Sequence, residues 1–181
     1  PFSKSGGLAD VAFSLPPALQ KTGDELTIVI PMYRVTQENY GDQFSLIKTC
    51  VIHLGQRQLS CALYKGELNG VMVYAIGNEH LFHRPRLYGY GDDSLRFAFF
   101  CRAVIDLLPE FGDLPDILHC NDWETALAIL YLKNDAVLND ALSHIKTVYT
   151  IHNIAYQGQF GRSEMETTFA LPDGWYHGGL S

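Results

Sequence analysis

The chain has 181 residues, 47% of them hydrophobic and 18% charged, so a packed globular core is expected and intrinsic disorder is excluded. Its formal net charge is −7, and its Lys and Arg are scattered singly, which argues against a nucleic-acid surface. No apolar run approaches the roughly 18 residues that a membrane span requires, and no signal peptide is visible.

In chain order, Ser5-Gly6-Gly7 precedes Leu8-Ala9-Asp10-Val11-Ala12-Phe13, whose spacing predicts a helix that Pro16-Pro17 kinks or ends. Lys21-Thr22-Gly23-Asp24 reads as a turn. Leu26 to Ile30 is a short apolar run rich in β-branched residues, expected to be a buried strand that Pro31 ends. Residues 45–54 and 58–65 read as strands. Asn69-Gly70, between Lys65-Gly66-Glu67-Leu68 and Val71-Met72-Val73-Tyr74, signals a hairpin. Residues 77–91 read as a polar and aromatic loop. Asp92 or Asp93 then caps a helix running to about Leu108. A strand over Asp116–His119, a helix over Trp123–Lys133, helical residues 135–143 and a strand over Lys146–Ile151 follow, and His152-Asn153 begins a loop.

Strands that alternate with helices imply parallel pairing with both faces covered. The expected fold is therefore α/β, a doubly wound Rossmann-like domain with a small antiparallel β insertion between residues 45 and 76. Such folds bind ligands outside the carboxyl ends of their strands. Three polar clusters fall there: residues 4–10, 119–123 and 152–158. The four cysteines, Cys50, Cys61, Cys101 and Cys120, form no C-x-x-C pair, so reduced thiols are the expected state.

Four motifs carry chemistry. In Lys4-Ser5-Gly6-Gly7-Leu8-Ala9-Asp10-Val11, adjacent glycines admit a bulky anion, the helix start offers free N–H groups and Lys4 adds a charge. This reads as a phosphate cradle or as a plain Gly-Gly turn beside an exposed lysine. It is neither the P-loop nor the dinucleotide fingerprint. In His119-Cys120-Asn121-Asp122-Trp123-Glu124-Thr125-Ala126, Asp122 suits a helix N-cap with Trp123 packed beneath; a carboxylate in a cleft could instead bind sugar hydroxyls. In Thr150-Ile151-His152-Asn153-Ile154-Ala155-Tyr156-Gln157-Gly158, polar side chains follow a strand end and can hydrogen-bond a sugar. In Leu87-Tyr88-Gly89-Tyr90-Gly91-Asp92-Asp93, aromatic and small residues alternate, as rings set against sugar faces would.

In this order and spacing the four motifs resemble the bacterial glycogen synthases, with the plant starch synthases as close relatives. The resemblance covers essentially the whole chain. It implies the two-domain GT-B architecture, of which the chain matches part of the N-terminal domain. The family's first strand and its C-terminal GT-B domain lie outside, so the chain reads as a segment of a longer protein. The implied reaction is retaining transfer of glucose from ADP-glucose to the non-reducing end of an α-1,4-glucan, in the cytoplasm. No cofactor, metal, nucleic acid or membrane is implied; the C-terminal domain of the same protein is the implied partner. By resemblance, Lys4, Gly6 and Gly7 line the diphosphate with Asp10 close by. Asp122 lies at the glucose and acceptor site, His152 contacts the donor glucose with Asn153 beside it, and Tyr90 lines the acceptor cleft. Tyr156 and Gln157 match motif positions, and Asn121 stands where some members carry His. The alternatives are a non-catalytic domain that binds glucan or nucleotide, and a GT-B enzyme with another donor.

Overall fold

Hydrophobic periodicity and turn chemistry set most element boundaries. The computed structural model describes residues 2–3, 6–137 and 139–171. Their contacts divide the chain into two units, Pro1–Val51 with Ser60–Gly89, and Ile52–Leu59 with Tyr90–Ser181.

In the first unit, helix α1 (Gly7–Gln20) precedes strand β1 (Thr27–Pro31) and helix α2 (Arg34–Tyr40). Strands β2 (Ser45–Leu54), β3 (Arg57–Leu68) and β4 (Val71–Gly77) follow, and the end of β2 and the start of β3 fall in the Ile52–Leu59 stretch assigned to the second unit. The sheet order is β1-β4-β3-β2. β1 runs parallel to β4 and β3 antiparallel to it, so the sheet is mixed. The hairpin signal at Asn69-Gly70 holds: both residues have positive φ, and Leu68 pairs with Val71 across the turn. One face of the sheet carries Val73 and Ala75, packed with Phe2, Met32 and Phe44.

Two expectations for this unit are corrected, and one, a helix kinked or ended at Pro16-Pro17, loses its second alternative. The α1 helix continues through Pro16 and Pro17 rather than ending there. The prolines remove the hydrogen bonds to the Ala12 and Phe13 carbonyls, but Ala12 is only half-buried and Phe13 is exposed, so water can reach the carbonyls left over. β1 is half-buried rather than buried, because it has a single neighbour in the sheet. The loop expected over residues 77–91 contains a helical turn, α3 (Glu79–Phe82). Asn78 starts it: its side-chain carbonyl accepts from Leu81 N–H at 3.0 Å, and its amide donates to the Ser60 carbonyl at 2.8 Å.

In the second unit, helix α4 (Asp93–Asp106) is buried around most of its circumference, as a core helix. It packs on helix α5 (Ala126–Ala136), and Arg102 of α4 bonds Asp135 of α5. Strands β5 (Ile117–Asn121) and β6 (Lys146–Thr150) pair in parallel, with Asn121 opposite Thr150 at their carboxyl ends. Residues 135–143 are helical only in part: α5 ends at Ala136 and a separate 3-10 turn covers Asp140–Leu142. No helix among the described residues is long and apolar enough to cross a membrane. No disulfide joins the four cysteines.

Candidate active site

The parallel pairing of β5 and β6 brings Asn121 and Asp122, at the carboxyl end of one strand, against His152 and Asn153, which follow the other. The Asp122 carboxylate accepts the His152 N–H at 2.7 Å and the Asn153 N–H at 3.3 Å through the same Oδ1. The Asp122 N–H in turn donates to the Thr150 carbonyl at 2.9 Å. The His152 ring nitrogen Nε2 lies 2.9 Å from Asn121 Oδ1. Asp122 is buried, whereas His152, Asn153, Tyr156 and Gln157 are exposed. A buried carboxylate thus holds an exposed polar loop by its backbone.

The helix-capping expectation for Asp122 is corrected. Its side chain makes no capping bond to the following turn. Its backbone has φ 58° and ψ 176°, a region that only glycine adopts without strain, which costs about 1–3 kcal/mol. That twist turns the carboxylate toward the β6 loop. The chain after it is a 3-10 turn over Trp123–Thr125, steadied by the Thr125 hydroxyl, which donates to the Asn121 carbonyl at 2.8 Å. The turn's own i to i+3 bonds stand in for a cap.

The packing expected of Trp123 does occur, and its ring also shapes the loop. It meets Phe97 edge-on at 5.0 Å and Phe160 at 5.8 Å between ring centroids. Gly158 lies against the ring: a Cβ there would come within 2.3 Å of Trp123 Cε3. Within the loop, Asn153 Oδ1 accepts from Ala155 N–H at 3.1 Å, and the Gln157 amide donates to the Ile154 carbonyl at 2.9 Å. The Tyr156 ring is 62% exposed, which leaves it available to a ligand.

Tyr90, at the start of the second unit, is half-buried with its ring 4.9 Å from the Arg96 guanidinium. Arg96 is fully buried and bonds Asp93 at 2.5 Å, and Asp93 also accepts the Tyr90 N–H at 3.1 Å. In the first unit, Gly6 and Gly7 stand at the amino end of α1, with Asp10 in its first turn. Gly6 has φ 116°, which a side chain would strain, and among the described residues, chain neighbours and the helix's own backbone aside, no atom lies within 4 Å of where a Cβ on either glycine would be. Lys4 lies outside the described residues.

Glu124 and Asn121 are the residues that sequence reasoning missed. Burial raises the Glu124 carboxyl to about 7, with Asp122 and Asp93 adding to the effect, and among the described residues its Oε2 has no hydrogen-bond partner. A neutral acid tolerates that position better than an anion. Because its folded-state pKa exceeds the ordinary glutamate value of 4.5, Glu124 favours the folded chain fully below about pH 4.5, and that contribution is lost as pH rises through about 7. The stabilisation from this group is expected to fall by roughly 3 kcal/mol over that window. Urea unfolding of wild type and Glu124→Gln at pH 5 and pH 8 checks it: the variant's advantage must grow with pH, and an equal difference at both values would refute the assignment. No sequence signal marks Glu124, since its burial arises only when α4 packs on the turn that carries it. Burial likewise pushes the Cys120 thiol up to about 11 and raises that of Cys101, so neither is a ready nucleophile. Among the described residues, no group of three or more His, Cys, Asp or Glu side chains could hold a metal ion.

An α/β protein whose buried carboxylate pins an exposed polar loop at the carboxyl ends of parallel strands belongs to the class that binds ligands at strand ends. Residues 1–180 match the family described as starch synthase catalytic domain. The chain belongs to that family. It is 39% identical over 177 residues to a glycogen synthase of Clostridium novyi (strain NT), covering 97% of this chain and 37% of the relative. It is 42% identical over 177 residues to a glycogen synthase of Bacillus cereus (strain Q1), covering 98% of this chain and 37% of the relative. Among solved structures it is similar to the catalytic domain of starch synthase IV from Arabidopsis thaliana bound to ADP and acarbose. That match has a TM-score of 0.81 at 30% identity and covers 95% of this chain and 35% of that one. The chain therefore spans little more than a third of the length of these relatives.

Proposed function

We propose that this chain is part of the N-terminal catalytic domain of a glycogen synthase, which transfers glucose from ADP-glucose to the non-reducing end of an α-1,4-glucan with retention of configuration. The observation that carries this reading is the Asp122 carboxylate bound to the His152 and Asn153 amides, inside a chain that matches the starch synthase catalytic domain over residues 1–180. The neighbour solved with ADP and acarbose supports a nucleoside diphosphate and a glucan as ligands. In this reading the chain is part of a doubly wound Rossmann-like half of a GT-B enzyme, with residues 45–76 as an antiparallel insertion. A second domain of the same protein supplies the opposite wall of the cleft. ADP-glucose is a substrate, no resident cofactor or metal takes part, and the enzyme works in the cytoplasm.

The roles follow from the chemistry of the groups. Lys4, Gly6, Gly7 and the amino end of α1 hold the diphosphate, where a cation and free N–H groups steady the charge that grows as ADP departs. Asp10 supports that loop. His152 contacts the donor glucose, and Asn153, Tyr156 and Gln157 offer hydroxyl partners beside it. Tyr90 lines the acceptor side. Asp122 spends one oxygen on the loop backbone, so its first task is to place His152; its negative charge also favours an oxocarbenium-like transition state. Transfer of labelled glucose from ADP-glucose to glycogen tests the reading. The full-length protein is expected to transfer glucose and to lose about a hundredfold in kcat with His152→Ala. The 181-residue chain alone is expected to transfer none. No transfer by the full-length protein would overturn the proposal.

A further inference from the structure

The proposed role of His152 requires its ring to present a defined nitrogen to the sugar, and the structure contains a device for that. Adjacent residues at the carboxyl end of β5, its last residue Asn121 and the following Asp122, take hold of His152 in two ways. Asp122 binds its backbone N–H at 2.7 Å, and Asn121 binds its ring at Nε2, with Oδ1 at 2.9 Å. The first contact places the residue; the second acts only on the imidazole. Two residues earlier, and so on the same face of β5, His119 Nε2 lies 2.7 Å from Thr150 Oγ1. Polar links between the two strand ends therefore run side by side up to the loop.

We infer that Asn121 is a positioning residue that fixes the tautomer and the orientation of the His152 imidazole. An amide oxygen can only accept, so the ring nitrogen facing it carries the proton. In a neutral imidazole that leaves Nδ1 as the lone-pair acceptor, free to take a hydrogen bond from a sugar hydroxyl. His152 is exposed, and an exposed ring with no partner would sample both tautomers and several rotamers. Because Asp122 already fixes the backbone at 152, Asn121 needs to restrain little more than the ring torsions, which keeps the ordering cost low. Asn121 opposes Thr150 in the β5–β6 register, so a rigid strand end sets its own position. This inference rests on the proposed role of His152 at the donor sugar.

The test uses the full-length enzyme with 15N-labelled histidine, comparing wild type with Asn121→Ala and Asn121→Asp. Nitrogen shifts at a pH where the ring is neutral report the tautomer without reference to activity. Wild type is expected to show His152 protonated at Nε2. Asn121→Ala is expected to average the tautomers and to lower kcat about tenfold, the worth of one well-made hydrogen bond, with a smaller change in KM for ADP-glucose. Asn121→Asp keeps an acceptor that cannot donate when ionised; it is expected to keep Nε2 protonated and to move the kcat–pH profile upward, because its charge favours the imidazolium. Three results would overturn the inference. They are a wild-type ring protonated at Nδ1 alone, an Asn121→Ala variant with unchanged shifts and kcat, and an Asn121→Asp variant that loses the Nε2 proton as the alanine variant does. If wild type shows the expected tautomer but no transfer from ADP-glucose, the functional reading fails while the tautomer assignment stands.

Discussion

Asp122→Ala is expected to lower glucosyl transfer by the full-length protein at least about a hundredfold, the scale of a misplacement near 1 Å at a reacting centre. The carboxylate holds the two amides that begin the polar loop, at 2.7 and 3.3 Å. Charge-assisted hydrogen bonds of this kind contribute about 1.5–3 kcal/mol, and here that energy keeps His152 in place. Without the carboxylate, the amides of the exposed residues 152 and 153 are free to bind water, and the loop loses its anchor. The backbone at Asp122 retains φ 58° in the variant, so alanine inherits the strain without the compensating bonds. Asp122→Asn keeps an acceptor and is expected to lose less activity. Asp122→Gly relieves the backbone and is expected to unfold at higher urea than Asp122→Ala while remaining equally inactive. Steady-state kinetics and urea unfolding of the three variants check this order. An alanine variant with near-normal kcat would show that the anchor has no bearing on turnover.

Gly158→Ala is expected to be the most destabilising single-methyl change in this part of the chain. The added carbon would lie 2.3 Å from Trp123 Cε3, 2.6 Å from Cδ2 and 2.9 Å from Cγ. The ring cannot retreat cheaply, because Phe97 and Phe160 pack against it. Overpacking of this kind costs about 1–3 kcal/mol. The left-handed backbone at φ 57° adds about 1–2 kcal/mol once a Cβ is present. The combined loss, roughly 2–5 kcal/mol, should appear as a lower urea midpoint with an unchanged slope. The same displacement moves the segment that carries His152 to Gln157, so kcat should fall as well. A double-mutant cycle isolates the cause. In a Trp123→Ala background the clash is gone, and Gly158→Ala should cost only the backbone part. Equal cost in both backgrounds would refute the close approach as its origin.

Much of the secondary structure was legible because it follows from local rules. Residues 45–54 and 58–65 read as strands and fall within β2 and β3. Asn69-Gly70 marked the turn between β3 and β4, and Asp92-Asp93 before an apolar run marked the start of α4. The errors fall where a local rule was overridden or a weak signal passed over. Pro16 and Pro17 are tolerated because the helix is exposed beside them. Asn78 caps a single turn too short to leave a periodic pattern.

The site divides along the same line. Sequence alone identified residues 119–123 and 152–158 as polar clusters at strand ends, because strand and helix periodicity locates strand ends and residue type shows where hydrogen-bonding groups gather; the resemblance to the glycogen synthases singled out Asp122 and His152 within them. Sequence alone could not choose between Asp122 as a helix cap and Asp122 as a cleft carboxylate that binds sugar hydroxyls, and it did not foresee the bonds to the second cluster. Both uses satisfy the same local pattern, and a backbone dihedral separates them. Asn121 and Glu124 were passed over for a related reason. A ring contact between residues 31 apart and the burial of one carboxyl oxygen are properties of packing. They come into being only when β5 pairs with β6 and α4 covers the turn between β5 and α5. The order of the motifs therefore determined the family, while tertiary structure decided which atoms of those motifs meet.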